Sequence, residues 1–472
     1  MGKQRKKVAA RRAKEPGTVQ VGLTPVSRPG DRRDRRGRGV PHRNPGQFDS
    51  PPHRPAGAAA LARPARPLAP AVAEPRLLDA SPLILPPRIG TIDEHFLRTE
   101  LPALNNAVSD GALAVADFAN VLQGHLAMAD LEALLRIADR FSPMAALYIL
   151  GALGTIASSA VRHVRVATGD NESNAGLELV PGLENALVRF GTVANRAPRD
   201  NHDTTWGLDF PMTFTATEGE MRFGRAVREA NRLLGVSNAL LMPVRTGEVD
   251  FVEAVDRFVE ATGHVKAYTL IQSDLAFNAF SDDFFAMRKF LGAYVVAGKR
   301  LEGPNATYTG GWCSFELSVG LLDDFRTTAM HRTKFMSAED RRHIETSCML
   351  PTIAEIASMH LGVTEPSLET LDVEMLGKRL AATEPGMRHA IVAARGLMKA
   401  NAQLAATHVG AIKKNLVMPA SAMTDAERAH LGVSPDGGVS GTPLQVTFDQ
   451  RTRRLLHPLV RMAVAGVKED TK

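Results

Sequence analysis

The sequence predicts an all-α protein, and three observations carry that expectation. Ala, Leu and Met are abundant while Tyr and Trp number only 4 and 2, a composition that suits packed helices better than a sandwich of short strands. Apolar residues recur at three-to-four spacing over long stretches, the period of a helix with one buried face. The first such stretch opens on Thr91 and Glu94, the Thr-x-x-Glu pattern of a capping box.

The elements follow in order from there. The stretch DFANVLQGHLAMADLEALLRIADR reads as helix with leucines at helical spacing. Residues Ser142 to Arg165 are apolar nearly all round, which predicts a buried central helix. GDNESNAG is a loop, and LVPGLENALVRFGTVANR is a further helix. PRDNHDTTWGLDFPMTFTAT lacks helical periodicity and should cross the body as an irregular segment. Long helices are then expected at about 217–240, 248–272, 282–297, 313–330, 338–361, 386–416 and 449–467. No internal repeat is present, nor a GxGxxG, a Walker loop or an HExxH, so the common nucleotide and zinc-protease sites have no support.

The 472 residues divide sharply by composition. Residues 1–90 hold 19 Lys and Arg against 6 Asp and Glu, 15 of the 29 prolines and one aromatic, Phe48. Residues 91–472 hold 38 basic against 45 acidic groups, so the positive balance belongs to the tail. Such a tail cannot bury enough apolar surface to offset its ordering entropy, and it reads as a disordered Arg/Pro-rich segment ahead of a helical domain spanning 91–472. Its runs KQRKK, RRAK and DRRDRRGRG suit nucleic acid or an anionic surface, yet it lacks interleaved aromatics for base stacking, which argues against nucleic acid as a partner. Arg11 and Arg12 have no apolar segment behind them, which argues against a secretory signal. With no recognisable run of 18 uncharged apolar residues, no transmembrane helix and no membrane partner are expected. Two cysteines, Cys313 and Cys348, suit a reducing, cytoplasmic location rather than a disulfide framework.

The most informative single residue is His408, in GLMKANAQLAATHVGAIKKNL. At helical spacing Leu397, Asn401, Leu404, Ala405, His408, Ala411 and Ile412 share one face, with Lys399, Lys413 and Lys414 away from it. The imidazole therefore points at the core beside mostly small neighbours. That suits an axial haem ligand, although a lone histidine on an apolar helical face is more often a hydrogen-bonded core residue. The glycine-rich stretch GVSPDGGVSGTP (432–443) follows and has the freedom to wrap a cofactor edge. A second segment, EGPNATYTGGWCSFEL, offers an adaptable backbone, hydroxyls and one aromatic just before a helix, either a ligand-facing loop or a plain interhelical turn. His343 and Cys348 fall on different faces of a helix, so shared metal ligation is not expected, and Cys313 reads as a core thiol. His202, followed by Asp203, reads as a surface-loop residue.

Several blocks, in this order, resemble the monodechloroaminopyrrolnitrin synthase-like haem enzymes, a family related in fold to indoleamine and tryptophan 2,3-dioxygenases. They are APRDNHDTTWGLDFPMTFTATEGE, VRTGEVDFVEAVDRFVEATGHV, FFAMRKFLGAYVVAG with GPNATYTGGWCSFELSVGLLDD, CMLPTIAEIASMHLGVTEPSLET, and the AATHVGAIKKNL helix with its glycine segment. The resemblance covers residues 95 to 460 and rests on order and spacing. It implies a helical haem domain in which His408 matches the proximal iron ligand of haem b, with its other ring nitrogen held by an acceptor. Gly438, Ser440, Gly441 and Thr442 would line the cofactor, and Trp206, Tyr308, Thr309, Gly310 and Leu416 the substrate. The implied activity is oxygenation of an indole or other aromatic amino acid by ferrous haem and dioxygen, in secondary metabolism. Leu416 stands where the family's synthase has a tyrosine, so the substrate is not fixed by the resemblance. Two alternatives stay open: a tyrosine-type hydroxylase using peroxide or an electron donor, and a non-enzymatic helical protein that binds nucleic acid through its tail.

Overall fold

Helices dominate the described residues because the apolar residues there keep the helical period almost throughout. The computed structural model describes residues 92–170, 172–205, 212–278, 281–304, 309–322, 325–333, 336, 338–363, 373–431 and 444–464. The tail 1–90, with Thr91, lies outside the described residues. In chain order the helices are α1 (Leu101–Ser109), α2 (Val115–His125), α3 (Met128–Arg136), α4 (Pro143–Thr168), α5 (Leu183–Ala194), α6 (His202–Thr205), α7 (Glu218–Arg245), α8 (Val255–Asn278) and α9 (Ser281–Arg288). After a hairpin of β1 (Tyr294–Val296) and β2 (Lys299–Leu301) come α10 (Gly310–Val319), α11 (Phe325–Arg332), α12 (Ala338–Cys348), α13 (Ile353–His360), α14 (Val373–Ala382) and α15 (Pro385–Ile412). The chain closes through α16 (Met418–Ala422), α17 (Asp425–Leu431), α18 (Leu444–Leu456) and α19 (Pro458–Val464).

The central helix is where the sequence puts it. Ser142 caps α4 by accepting from Ala145 N at 3.2 Å, Pro143 occupies the first turn, and Gly169 ends it at φ 69°. Its apolar residues join Phe96, Phe118, Leu131, Leu187, Phe190 and Tyr294 in one core. Two glycines on α4 admit another backbone at close range: a Cβ on Gly154 would lie 2.3 Å from Asp200 N, and one on Gly151 3.1 Å from Thr204 Cβ. The start of the irregular segment therefore docks on α4, with Arg199, Asp200, Asn201, His202, Thr204 and Thr205 buried.

That docking corrects the expectation for His202. Its residue is 8% exposed and both ring nitrogens are buried, because α6 is pressed into the glycine notch of α4 instead of lying in a surface loop. The membrane argument is corrected as well. Among the described residues α4 is long and apolar enough to cross a membrane by length and composition, with 89% of its most apolar window buried inside the protein. Thr155, Ser158 and Ser159 break its apolar character too weakly to fail that test.

A second core gathers the long helices around α8. α15 packs along α8, α8 along α7, α7 along α10, and α18 and α19 lie on α15. Leu234, Phe258, Tyr268, Trp312, Phe315, Ile391, Leu397 and Leu404 fill it.

Several predicted helices are divided, each at a recognisable breaker. The span 313–330 splits at Gly320, which turns left-handed at φ 73°. The span 338–361 splits before α13, where Pro351 precedes a capping box of Thr352 and Glu355. The span 449–467 splits at His457, just before Pro458. The helix expected over 282–297 stops at Arg288, and a two-residue turn of Ala297 (φ 48°) and Gly298 (φ 72°) makes a hairpin that pairs Val296 with Lys299. The wide helical turn Phe96–Glu100 that leads into α1 is opened by Asp93, whose Oδ1 accepts from Phe96 N at 2.9 Å.

Candidate functional site

The site assembles where α15, α10 and α18 meet. His408 sits one turn before the end of α15 and faces α10 and α18, part-buried. Trp312, in the first turn of α10, brings its ring to 5.8 Å from the imidazole at 50°. Three contacts fix that indole. Thr309 Oγ1 accepts from Trp312 N at 3.3 Å, Asn231 Oδ1 accepts from Gly311 N at 3.1 Å, and Tyr268 meets the ring edge-on at 5.6 Å. The Tyr268 hydroxyl is in turn hydrogen-bonded to Gln272.

From α18, Arg451 lays its guanidinium 5.1 Å from the Trp312 ring centre. One turn further, Arg454 Nη2 donates to Glu316 Oε2 at 2.9 Å, and both side chains are 4% exposed. Asn401, two turns before His408 on α15, makes a long contact of 3.5 Å to the same oxygen. The result is a buried aromatic–guanidinium–imidazole cluster held to three helices.

Its electrostatics favour a neutral imidazole. Burial first, then the guanidiniums of Arg451, Arg454 and Arg332, hold His408 well below the usual histidine range. Burial and Arg454 lower Arg451 to about 9, with Glu316 acting in the opposite direction. Among the described residues His408 Nδ1, Trp312 Nε1, Arg451 Nη1, Arg454 Nε and Nη1, and Asn401 Oδ1 are buried without a hydrogen-bond partner. The acceptor expected for the second ring nitrogen of His408 is therefore not supplied by the described residues.

The other predicted site residues divide into two groups. Thr309 is the N-cap of α10, and Gly310 begins that helix beside Asp340. The amides of Gly311, Trp312 and Cys313 are all taken by protein acceptors, so this helix start does not offer them to a ligand. Leu416 is buried with Phe285 and Ala420 in a small apolar cluster flanked by Ile412 and Phe448. Trp206, Tyr308, Gly438, Ser440, Gly441 and Thr442 lie outside the described residues. Cys313 is a fully buried thiol pushed up to about 11 by burial, while His343 on α12 has its Nε2 3.4 Å from Nδ2 of Asn238 on α7.

Arg451, Arg454 and Glu316 were not anticipated from sequence. Arginines in a charged stretch such as DQRTRRLL read as a solvated face, and only the packing of α18 against α15 and α10 reveals them as interior. Trp312 was within reach: it stands three residues after a threonine that caps its helix.

These observations define a mainly helical protein with a buried, cation-rich site around one histidine. The chain matches no protein-family model, and no curated protein matches it at a significant level.

Proposed function

We propose that the protein is a haem-dependent oxygenase acting on an indole or other aromatic amino acid, with His408 as the axial ligand of haem b in a domain of the indoleamine and tryptophan 2,3-dioxygenase type. The observation that carries this reading is a neutral imidazole kept at the meeting point of three helices beside buried guanidiniums that lack acceptors. Iron ligation needs an unprotonated ring nitrogen, and burial, reinforced by the surrounding positive charge, favours that state.

The residues present fit such a group. Among the described residues no cluster of three His, Cys, Asp or Glu surrounds His408, so a metal held there needs donors from elsewhere, and a porphyrin brings four nitrogens of its own. Haem carries two carboxylates, for which Arg451 and Arg454 have donors to spare. Haem supplies the redox chemistry by which dioxygen oxidises an electron-rich aromatic ring.

The chain's own residues supply position and environment. Trp312 packs beside the imidazole and limits its rotation. Thr309 accepts from a backbone amide and keeps its hydroxyl proton to donate. Leu416 presents an apolar patch with Phe285 and Ala420, and the resemblance implies the substrate side at Leu416 and at Trp206, Tyr308, Thr309 and Gly310. Burial around these groups excludes water from the reacting centre.

The test is an absorption spectrum of the purified protein reconstituted with haem, beside His408→Ala. A stoichiometric Soret band that shifts on dithionite reduction, and is weak or altered in the variant, is expected. Absence of haem binding by the wild type rejects the reading. Turnover of tryptophan against tyrosine, with dioxygen or with peroxide, then separates the oxygenase from a peroxide-driven hydroxylase.

A further inference from the structure

The cluster around Trp312 holds more donors than its own acceptors can use. Arg451 and Arg454 are each 3% exposed and Trp312 2%, yet Arg451 Nη1, Arg454 Nε and Nη1, and Trp312 Nε1 have no acceptor among the described residues. A buried donor left unpaired is destabilising, and more so when it is charged. Four such atoms from neighbouring side chains mark a place prepared for an acceptor.

The charges point the same way. Glu316 is already engaged by Arg454 and Asn401. Arg451 stacks on Trp312 and makes no ion pair among the described residues. Arg332, the third guanidinium, is turned to Cys313 and to the ring of Phe325. Between them Arg451 and Arg454 carry two positive charges against the one negative charge of Glu316, so this pair lacks one negative charge, which a carboxylate supplies and a phosphate dianion overshoots. The planar guanidinium fork matches a carboxylate in geometry as well.

We infer that Arg451, Arg454 and Trp312 form an internal carboxylate-binding site between α10 and α18. The carboxylate has two possible carriers, a haem propionate or the carboxylate of an amino-acid substrate. The first rests on the haem reading above; the second stands without it.

Two probe pairs separate the carriers. Haemin is compared with haemin dimethyl ester by absorption titration, and L-tryptophan with tryptamine by calorimetry, on the full chain. Each is repeated with Arg451→Met and with Trp312→Phe, which keeps an aromatic ring and removes one donor. A preference of about ten- to a hundredfold for the carboxylate-bearing member is expected in at least one pair, the size of one or two charge-assisted hydrogen bonds. It should vanish in Arg451→Met and shrink in Trp312→Phe, and the pair that shows it identifies the carrier.

Equal binding within each pair, or a preference that survives Arg451→Met, overturns the carboxylate site. If haemin still binds in that case, the haem reading stands. Loss of haemin binding with the tryptophan preference intact removes the haem reading and keeps the site. Binding of none of the four probes rejects both.

Discussion

Two regions of the molecule bury polar groups, and they treat them differently. Around α4 the partners of Asn105, Glu220 and Arg199 come from the chain itself, although Asp200 Oδ2 and Thr205 Oγ1 are buried there without one among the described residues. Asn105 donates to Ser159 Oγ and to Phe214 O, and its Oδ1 lies 2.9 Å from His163 Nε2. Glu220 accepts from the amides of Phe214, Thr215 and Ala216 and from the Thr215 hydroxyl. Arg199 reaches Asp200, Gly292 O and Leu301 O, and lies over the Tyr294 ring at 4.3 Å. Around His408, by contrast, guanidinium, indole and imidazole nitrogens stop short of any acceptor among the described residues. Internal partners make a buried polar group part of the scaffold, and their lack marks it for something the chain does not supply.

The comparison can be broken by measuring stability. Asp200→Ala strands the buried Arg199 and should lower unfolding free energy by about 3–5 kcal/mol in urea titrations. Little change there would mean that the α4 network is not the scaffold it looks like. Acid should act next. Burial lowers His163 to about 3 and His457 to about 4, against an ordinary value near 6.5. The unfolded chain then takes up protons that the folded one refuses, so stability is full above pH 6.5 and falls as pH drops toward those lower values. Each histidine contributes a slope of up to about 1.4 kcal/mol per pH unit, and His408 acts in the same direction. A flat stability profile between pH 6.5 and 4.5 would contradict this.

A smaller loss is expected for Glu220→Gln, which turns an NH2 group toward backbone donors: about 1–3 kcal/mol, read as a lower denaturation midpoint. The smallest effect belongs to the other region. Arg451→Met should change stability by no more than about 1 kcal/mol, or raise it, because an apolar chain replaces an unpaired buried charge. A loss as large as that of Asp200→Ala would erase the distinction between the two regions.

Much of the scaffold was legible because helical periodicity survives packing. The central helix from Ser142, the α15 span and the inward face of His408 all follow from spacing alone. The breaks were harder to read. Gly320 and the hairpin turn at Ala297–Gly298 interrupt stretches whose apolar residues keep their period on both sides. The burial of His202 depends on Gly151 and Gly154, fifty residues away in sequence, and no local pattern reports it. The same holds for Arg451 and Arg454. Their charge says surface, and only the tertiary placement of α18 makes them interior.

The apolar span of α4 has a consequence for the chain's birth. Residues 143–168 leave the ribosome before Arg199, Asp200, Thr204, Met212 and the 294–301 hairpin that pack on them have been made. For that interval the nascent chain displays a helix that matches a membrane span in length and composition. Holdase chaperones, or slow emergence of downstream sequence, then decide between correct folding and mistargeting. A ribosome-bound nascent chain ending near residue 200 should associate with trigger-factor-type chaperones or with lipid vesicles, and one extended past residue 305 should release them.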